Sequence, residues 1–110
     1  MSHLSLMLVM LCSLLGQAAW AEALPTFKMI ARNGKLEPST LSVPAGQRFK
    51  IEIENQSNSA IEFESLQLRQ EKVLAPGAKS FVVIHPLKPG SYKFFDEYHP
   101  ATSQGQIVAK

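Results

Sequence analysis

The stretch FKIEIE, residues 49–54, decides the fold class of this 110-residue chain. Its apolar residues Phe49, Ile51 and Ile53 alternate with charged ones, so an extended segment would have one apolar and one charged side. An α-helix would scatter the same apolar residues around its circumference. The stretch therefore predicts a half-buried β-strand.

Six further segments are rich in the Phe, Val, Ile and Tyr that strands prefer, namely residues 26–32, 40–43, 61–65, 80–84, 91–95 and 106–109. Turn signals lie between several of them, including Asn33-Gly34, a hairpin type, and two Pro-Gly pairs. The apolar spacing around residues 64–73 does not distinguish the period of a strand from that of a helix, and a helix remains an alternative there. The chain is predicted to form one all-β sandwich of seven or eight strands, with its sheets packed across their apolar faces.

The N-terminal residues 1–21 have the pattern of a signal peptide. They contain no Lys, Arg, Asp or Glu, and an apolar run from Leu4 to Leu15 precedes Ala19-Trp20-Ala21, which has small residues where a signal peptidase reads. The run is shorter than the roughly 20 apolar residues of a membrane span. We expect cleavage after Ala21, export, and a mature domain of residues 22–110. An uncleaved N-terminal anchor is the alternative.

Composition excludes several classes of function for the mature domain. The single cysteine, Cys12, lies in the predicted signal peptide, so the rest of the chain has no disulfide, zinc–thiolate site or cysteine nucleophile. The 11 Lys/Arg and 9 Asp/Glu are interspersed without a basic stripe, which disfavours nucleic-acid binding. Phosphate-binding glycine loops, His-Glu-x-x-His and the nucleophile elbow are also absent from the sequence. A binding protein is therefore favoured over an enzyme.

Two acidic segments contain the side chains best suited to hold a metal ion. Asp96, Glu97 and His99 follow the predicted strand at residues 91–95, and they combine oxygen donors with one imidazole. That donor set suits Cu(II), iron or zinc better than Cu(I). Glu62 and Glu64 share one face of another predicted strand, because side chains alternate along it.

Alternation also limits which of these residues can share an ion. Asp96 and Glu97 are adjacent and would point to opposite sides of a strand, so we expect one of the two to reach it. Glu62 and Glu64 are alternative or joint ligands. Both clusters could instead be solvated surface, but a carboxylate turned inward would need a cation partner, because burying an unpaired charge is costly.

Two motifs resemble the cupredoxin-like domains, whose fold is a Greek-key β-sandwich. They are KLEPSTLSVPAG at residues 35–46 and PGSYKF at residues 89–94. In the blue copper members of this family the metal ligands are Cys, Met and two His. The resemblance places the Cys position on Asp96, the second His on His99, the Met near Gln104 and the early His near Glu62. Without a thiolate, a blue electron-transfer copper site is excluded.

The segments Glu62-Phe63-Glu64-Ser65 and Glu97-Tyr98-His99 are similar to the cupredoxin-like proteins of bacterial high-affinity iron-uptake systems. This resemblance implies a periplasmic protein that binds Cu(II) or an iron ion through residues drawn from His99, Glu97, Asp96, Glu62 and Glu64. It also implies two partners, an inner-membrane iron permease and a periplasmic metal-binding protein. Oxidation of Fe(II) and hand-over of the metal are the two roles to expect.

The alternative function is a metal-free β-sandwich that docks on the transport complex through its acidic rim. In either case we expect no insertion into the membrane once the signal peptide is removed. His85 and Met29 are expected to be structural, Met29 as a core residue. Glu71 beside Lys72 is expected to be part of an exposed pair.

Overall fold

The computed structural model describes residues 24–110, which form nine β-strands and no helix. The strands are β1 (Thr26–Arg32), β2 (Lys35–Glu37), β3 (Thr40–Val43), β4 (Phe49–Asn55), β5 (Ile61–Ser65), β6 (Gln70–Leu74), β7 (Lys79–Ile84), β8 (Gly90–Asp96) and β9 (Gly105–Ala109). The predicted signal peptide, its cleavage site and Cys12 lie outside the described residues. Within residues 24–110, nothing has the helical length and apolar character needed to cross a bilayer.

The strands form two mixed sheets. One has the order β2-β1-β4-β7 and the other the order β3-β9-β8-β5-β6. β1 runs parallel to β4 and β3 parallel to β9, whereas the other pairs are antiparallel. The predicted all-β sandwich is confirmed, although it has nine strands rather than seven or eight.

The two additional strands, β2 and β6, have weak sequence signals. β2 is three residues long and follows the turn at Asn33 (φ 54°) and Gly34 (φ 71°), whose positive φ values suit a type I′ hairpin. β6 buries only Leu74, the last of its five residues, which gives little alternation to detect. The helix alternative for residues 64–73 is not adopted, because β5 and β6 form a hairpin there.

The apolar faces of both sheets meet in one core. Phe49, Ile51 and Ile53 of β4 are at most 1% exposed, as their alternation predicts, and Met29 is equally buried. The ring of Phe63 lies 5.6 Å from that of Phe94, centroid to centroid. Burying each large apolar side chain contributes roughly 1.5–3 kcal/mol, so this layer supplies most of the favourable free energy of folding.

Asn55 is a fully buried polar residue that joins two connections at one end of the sandwich. Its side-chain Nδ2 lies 2.9, 3.1 and 3.2 Å from the carbonyl oxygens of Ser59, Leu74 and Ala75. Its Oδ1 accepts the backbone N–H of Ser57 at 3.0 Å. The amide therefore holds the β4–β5 loop against the end of β6, and this contact determines how the chain enters β5.

Phe63→Ala is expected to lower the free energy of unfolding by about 3–5 kcal/mol, because it leaves a cavity beneath the acidic end of β5. The matched control is Phe81→Ala, since Phe81 is 50% exposed and the Lys50 ammonium lies 4.7 Å from its ring centroid in a cation–π pair. That change should cost less than about 1 kcal/mol. Urea unfolding of both variants measures the difference, and equal losses would contradict this account of the core.

Candidate metal centre

The pairing of β5 with β8 brings the two acidic segments together. Phe63 lies opposite Asp96, and the backbone N–H of Glu97 donates to the carbonyl of Glu62 at 2.9 Å. Opposite residues of an antiparallel pair point to the same side. Phe63 and Asp96 therefore point into the sandwich, while Glu62, Glu64 and Glu97 lie on the outer face of the five-stranded sheet.

The carboxylates of Glu62, Glu64 and Glu97 converge on this outer face. One oxygen from each lies within 4.8 Å of the other two, and in residues 24–110 this is the one such group of three or more His, Cys, Asp or Glu. Oxygen ligands at about 2.0–2.2 Å from an ion lie within about 4.4 Å of one another. The three glutamates are therefore spaced almost as the ligands of a single cation would be.

Burial differs across this three-glutamate group. Glu64 is 8% exposed, Glu62 is half-buried and Glu97 is exposed. Phe95 lies opposite Glu64 in β8 and is itself half-buried, so it helps to cover that carboxylate. The group thus has a sheltered side at Glu64 and a side open to solvent at Glu97.

Crowding raises the pKa of two members of the group. A hydrogen bond with Glu97 is the main reason that the pKa of Glu64 rises to about 7, and burial and the charges of Glu97, Glu71 and Glu62 add to it. Burial raises the pKa of Glu62, and the charges of Glu71, Glu97 and Asp96 raise it further. A bound cation would replace this repulsion by attraction.

Glu71 contributes to the crowding, although the sequence predicts that it is part of an exposed pair with Lys72. It is exposed, but the β5–β6 register sets it directly opposite Glu64 on the same face. The signal that could have found it is the register of the β5–β6 hairpin. The sequence does not predict that register, because β6 shows too little alternation to be identified as a strand.

Asp96 lies apart from the three-glutamate group, on the inner side of β8. It is 1% exposed, and its Oδ1 accepts the backbone N–H groups of Glu62 at 2.9 Å and Tyr98 at 3.0 Å. Its Oδ2 lies 2.8 Å from Nδ1 of His99. Both oxygens of this buried carboxylate are therefore occupied within the protein.

His99 is held in the turn after β8. Its backbone N–H donates to the carbonyl of Asp96 at 3.0 Å, and the hydroxyl of Ser103 donates to the His99 carbonyl at 2.6 Å. Its ring lies beside Gly34 at the tip of the β1–β2 hairpin, where a Cβ would come within 3.5 Å of Cδ2. The side chain remains 35% exposed.

The five predicted site residues thus form two neighbouring units, the three-glutamate group and the Asp96–His99 pair. Asp96 and Glu97 point to opposite sides, as alternation predicts. His85 is exposed beyond the end of β7. The assignment of any of these side chains as a metal ligand stays a prediction.

A thiolate copper centre does not fit the residues present. The position expected for its cysteine holds Asp96, and Met29, the one methionine of residues 24–110, is a core residue 1% exposed. Gln104 is exposed and its side-chain Nε2 donates to the Pro100 carbonyl at 2.8 Å. The donors that do converge are carboxylates, hard oxygen ligands that disfavour the soft ion Cu(I).

Glu64→Gln is expected to flatten the pH dependence of stability. The pKa of Glu64 is about 7 in the folded protein against 4.5 for the ordinary side chain, so the folded state binds the proton more tightly. The free energy of unfolding should therefore fall as the pH rises from about 4.5 to about 7. The variant should show a smaller fall, because only the contribution of Glu62 remains, and should be more stable than wild type above about pH 7.

Urea unfolding over that pH range, with a chelator present, measures the effect. Glu54→Gln is the matched control, since Glu54 lies on the other sheet with its Oε1 3.9 Å from Nζ of Lys79. Parallel pH curves for Glu64→Gln and wild type would contradict the raised pKa.

Solved structures of proteins from several organisms share this fold. Auracyanin A, a blue copper protein of Chloroflexus aurantiacus, matches with a TM-score of 0.67 and 16% identity, covering 80% of this chain and all of that one. Amicyanin from Paracoccus versutus gives 0.61 and 13%, covering 84% of this chain and 88% of its own. A purple cupredoxin from Nitrosopumilus maritimus gives 0.56 and 16%, covering 76% and 99%. At such identities the similarity establishes the fold alone.

A curated relative and a family model match the sequence itself. An uncharacterized protein of Rickettsia prowazekii (strain Madrid E) is 33% identical over 81 residues, which are 74% of this chain and 65% of the relative. The chain thus spans 65% of the length of that relative. The model of the cupredoxin-like domain matches residues 4–109. Because that match covers nearly the whole sequence and the nine-stranded sandwich agrees with it, the chain belongs to the cupredoxin-like domain family.

Proposed function

We propose that this protein binds an iron ion or Cu(II) at the three-glutamate group and serves iron uptake in the periplasm. The observation that carries the proposal is the convergence of Glu62, Glu64 and Glu97 within 4.8 Å on one sheet face. The pKa of Glu64 rises to about 7 through its hydrogen bond with Glu97 and its burial, and the like charges of Glu97, Glu71 and Glu62 add to the rise. A multivalent cation is the partner that would make the arrangement favourable.

Two roles follow from this donor set. Hand-over of the metal is the simpler one, because the group lies on an outer face and Glu97 is exposed, so a partner protein could reach the ion. Oxidation of Fe(II) is the second, because negatively charged oxygen ligands stabilise the higher oxidation state. Each Fe(II) would then become Fe(III) by giving one electron to a redox metal centre of a partner protein, which would be reduced by one electron.

The proposed partners are an inner-membrane iron permease and a periplasmic metal-binding protein. Support comes from the resemblance of the segments around Glu62 and Glu97 to the cupredoxin-like proteins of iron-uptake systems. The position of the acidic group on an open sheet face is compatible with such contacts. Export by the predicted signal peptide would bring the protein to the same compartment.

A second candidate function is a metal-free docking module, and exposed apolar side chains favour it. Leu66 is 71% exposed at the end of β5, Val73 is 55% exposed opposite Glu62, and Tyr98 is 51% exposed next to Glu97. Apolar residues around an acidic centre could bind a protein surface that has a basic centre. This module would need no ion.

Metal titration distinguishes the two candidates. Calorimetry of the protein with Cu(II), and with Fe(II) under anaerobic conditions, should show binding of one ion. A ligand at 100 times its Kd stabilises the folded state by about 2.7 kcal/mol, so Tm should rise. Protons compete for the same oxygens, so binding should weaken as the pH falls below about 7, the pKa of Glu64.

The variant for this test is Glu62→Gln with Glu64→Gln and Glu97→Gln, which should lose at least about tenfold in affinity. Glu52→Gln with Glu54→Gln is its control, because these carboxylates lie on the outer face of the other sheet. If neither metal raises Tm of the wild-type protein, the metal-free docking module is the better explanation.

A further inference from the structure

The Asp96–His99 pair lies outside the three-glutamate group and has a geometry of its own. We propose that Asp96 is a positioning residue, which fixes the tautomer of His99 so that Nε2 carries the lone pair available to a metal ion. The identity of the ligand as a metal rests on the proposed function. The tautomer itself is a property of the metal-free protein and can be tested separately.

Hydrogen bonds hold both the side chain and the backbone of Asp96 in place. Its Oδ1 receives two backbone N–H groups, from Glu62 on the neighbouring strand and from Tyr98 in the following turn. Its own backbone N–H donates to Oγ of Ser103 at 2.7 Å. Because the side chain is 1% exposed, rotation of the carboxylate would leave these donors unpaired in a buried place. Oδ2 is therefore held facing His99.

A carboxylate can only accept hydrogen bonds, so the contact of 2.8 Å with Nδ1 requires the proton of a neutral imidazole to be on Nδ1. The lone pair is then on Nε2, the nitrogen on the far side of the ring. Metal-binding histidines commonly have this arrangement, with a carboxylate that orients the ring and selects the tautomer. Asp96 would act on the metal through His99.

Two sides of the ring have known neighbours. Nδ1 faces Asp96, and Cδ2 lies beside Gly34, where an added Cβ would be 3.5 Å away. The side chain as a whole remains 35% exposed, so the ring is open to a ligand. Backbone bonds to Asp96 and Ser103 fix the turn around it, so the lone pair has a defined direction.

Asp96 thus has a positioning role, which differs from the ligand role that the sequence predicts. Its two oxygens already serve two backbone donors and one imidazole. Direct coordination would require an ion to reach a carboxylate that is only 1% exposed. His99 offers a nitrogen donor on a side chain that is 35% exposed.

Asp96→Asn is the decisive variant because it keeps the shape and reverses one hydrogen bond. The Asn oxygen can still accept from Glu62 and Tyr98, but its NH₂ group would face Nδ1 of His99. Nδ1 must then accept, so the proton moves to Nε2 and removes the lone pair there. Long-range ¹H–¹⁵N NMR, recorded at a pH at which the ¹⁵N shifts show the neutral ring, reports the tautomer directly.

We expect the Nδ1–H form in wild type and the Nε2–H form in Asp96→Asn, with the His85 signals unchanged as internal control. The Nε2–H form in wild type, or an unchanged tautomer in the variant, would overturn the inference. Should Asp96→Asn fail to fold, the wild-type spectrum alone decides, since it requires no variant.

Cu(II) is the probe for the second half of the inference. Asp96→Asn and His99→Ala should each bind Cu(II) roughly 10–100-fold more weakly than wild type, and the imidazole nitrogen couplings in the pulsed EPR spectrum should disappear. Wild-type affinity and an imidazole signal in His99→Ala would overturn the role of His99. Failure of wild type to bind either metal would instead refute the proposed function. The NMR result would still decide the tautomer, because it is measured on the metal-free protein.

Discussion

The antiparallel pairing of β5 with β8 is the constraint on which the candidate site depends. Setting Phe63 opposite Asp96 places the next residue of each strand on the outer face, where Glu64 and Glu97 meet. A slip of one residue would turn the carboxylates into the core and Phe63 into solvent. The free energy of core packing therefore determines the register, and the register assembles the acidic group.

The same two strands serve stability on one face and chemistry on the other. On the inner face Phe63 and Phe94 are fully buried, with ring centroids 5.6 Å apart, and their burial makes the free energy of folding more favourable. On the outer face the three-glutamate group is crowded enough to raise the pKa of Glu64 to about 7, which opposes folding at neutral pH. Such a cost is characteristic of functional sites, where charge is arranged for a ligand rather than for the protein alone.

Buried polar groups near this end of the sandwich are all satisfied within the described residues. Asn55 bridges two connections through its amide, and Asp96 joins β5, the turn after β8 and His99 through its carboxylate. Each has directional partners that an apolar residue of the same volume would lack, so each specifies one arrangement of the loops. This rigidity gives an exposed imidazole and exposed carboxylates stable positions without a disulfide.

Alternation in FKIEIE and in the other strands was sufficient to predict the all-β sandwich, because a period of two is a local property. The opposite directions of Asp96 and Glu97 follow for the same reason. Neighbours across strands were beyond the sequence, because register is decided by long-range packing. Only the tertiary structure therefore showed Glu71 opposite Glu64, the strand β6 that carries it, and the separation of Asp96 and His99 from the three-glutamate group.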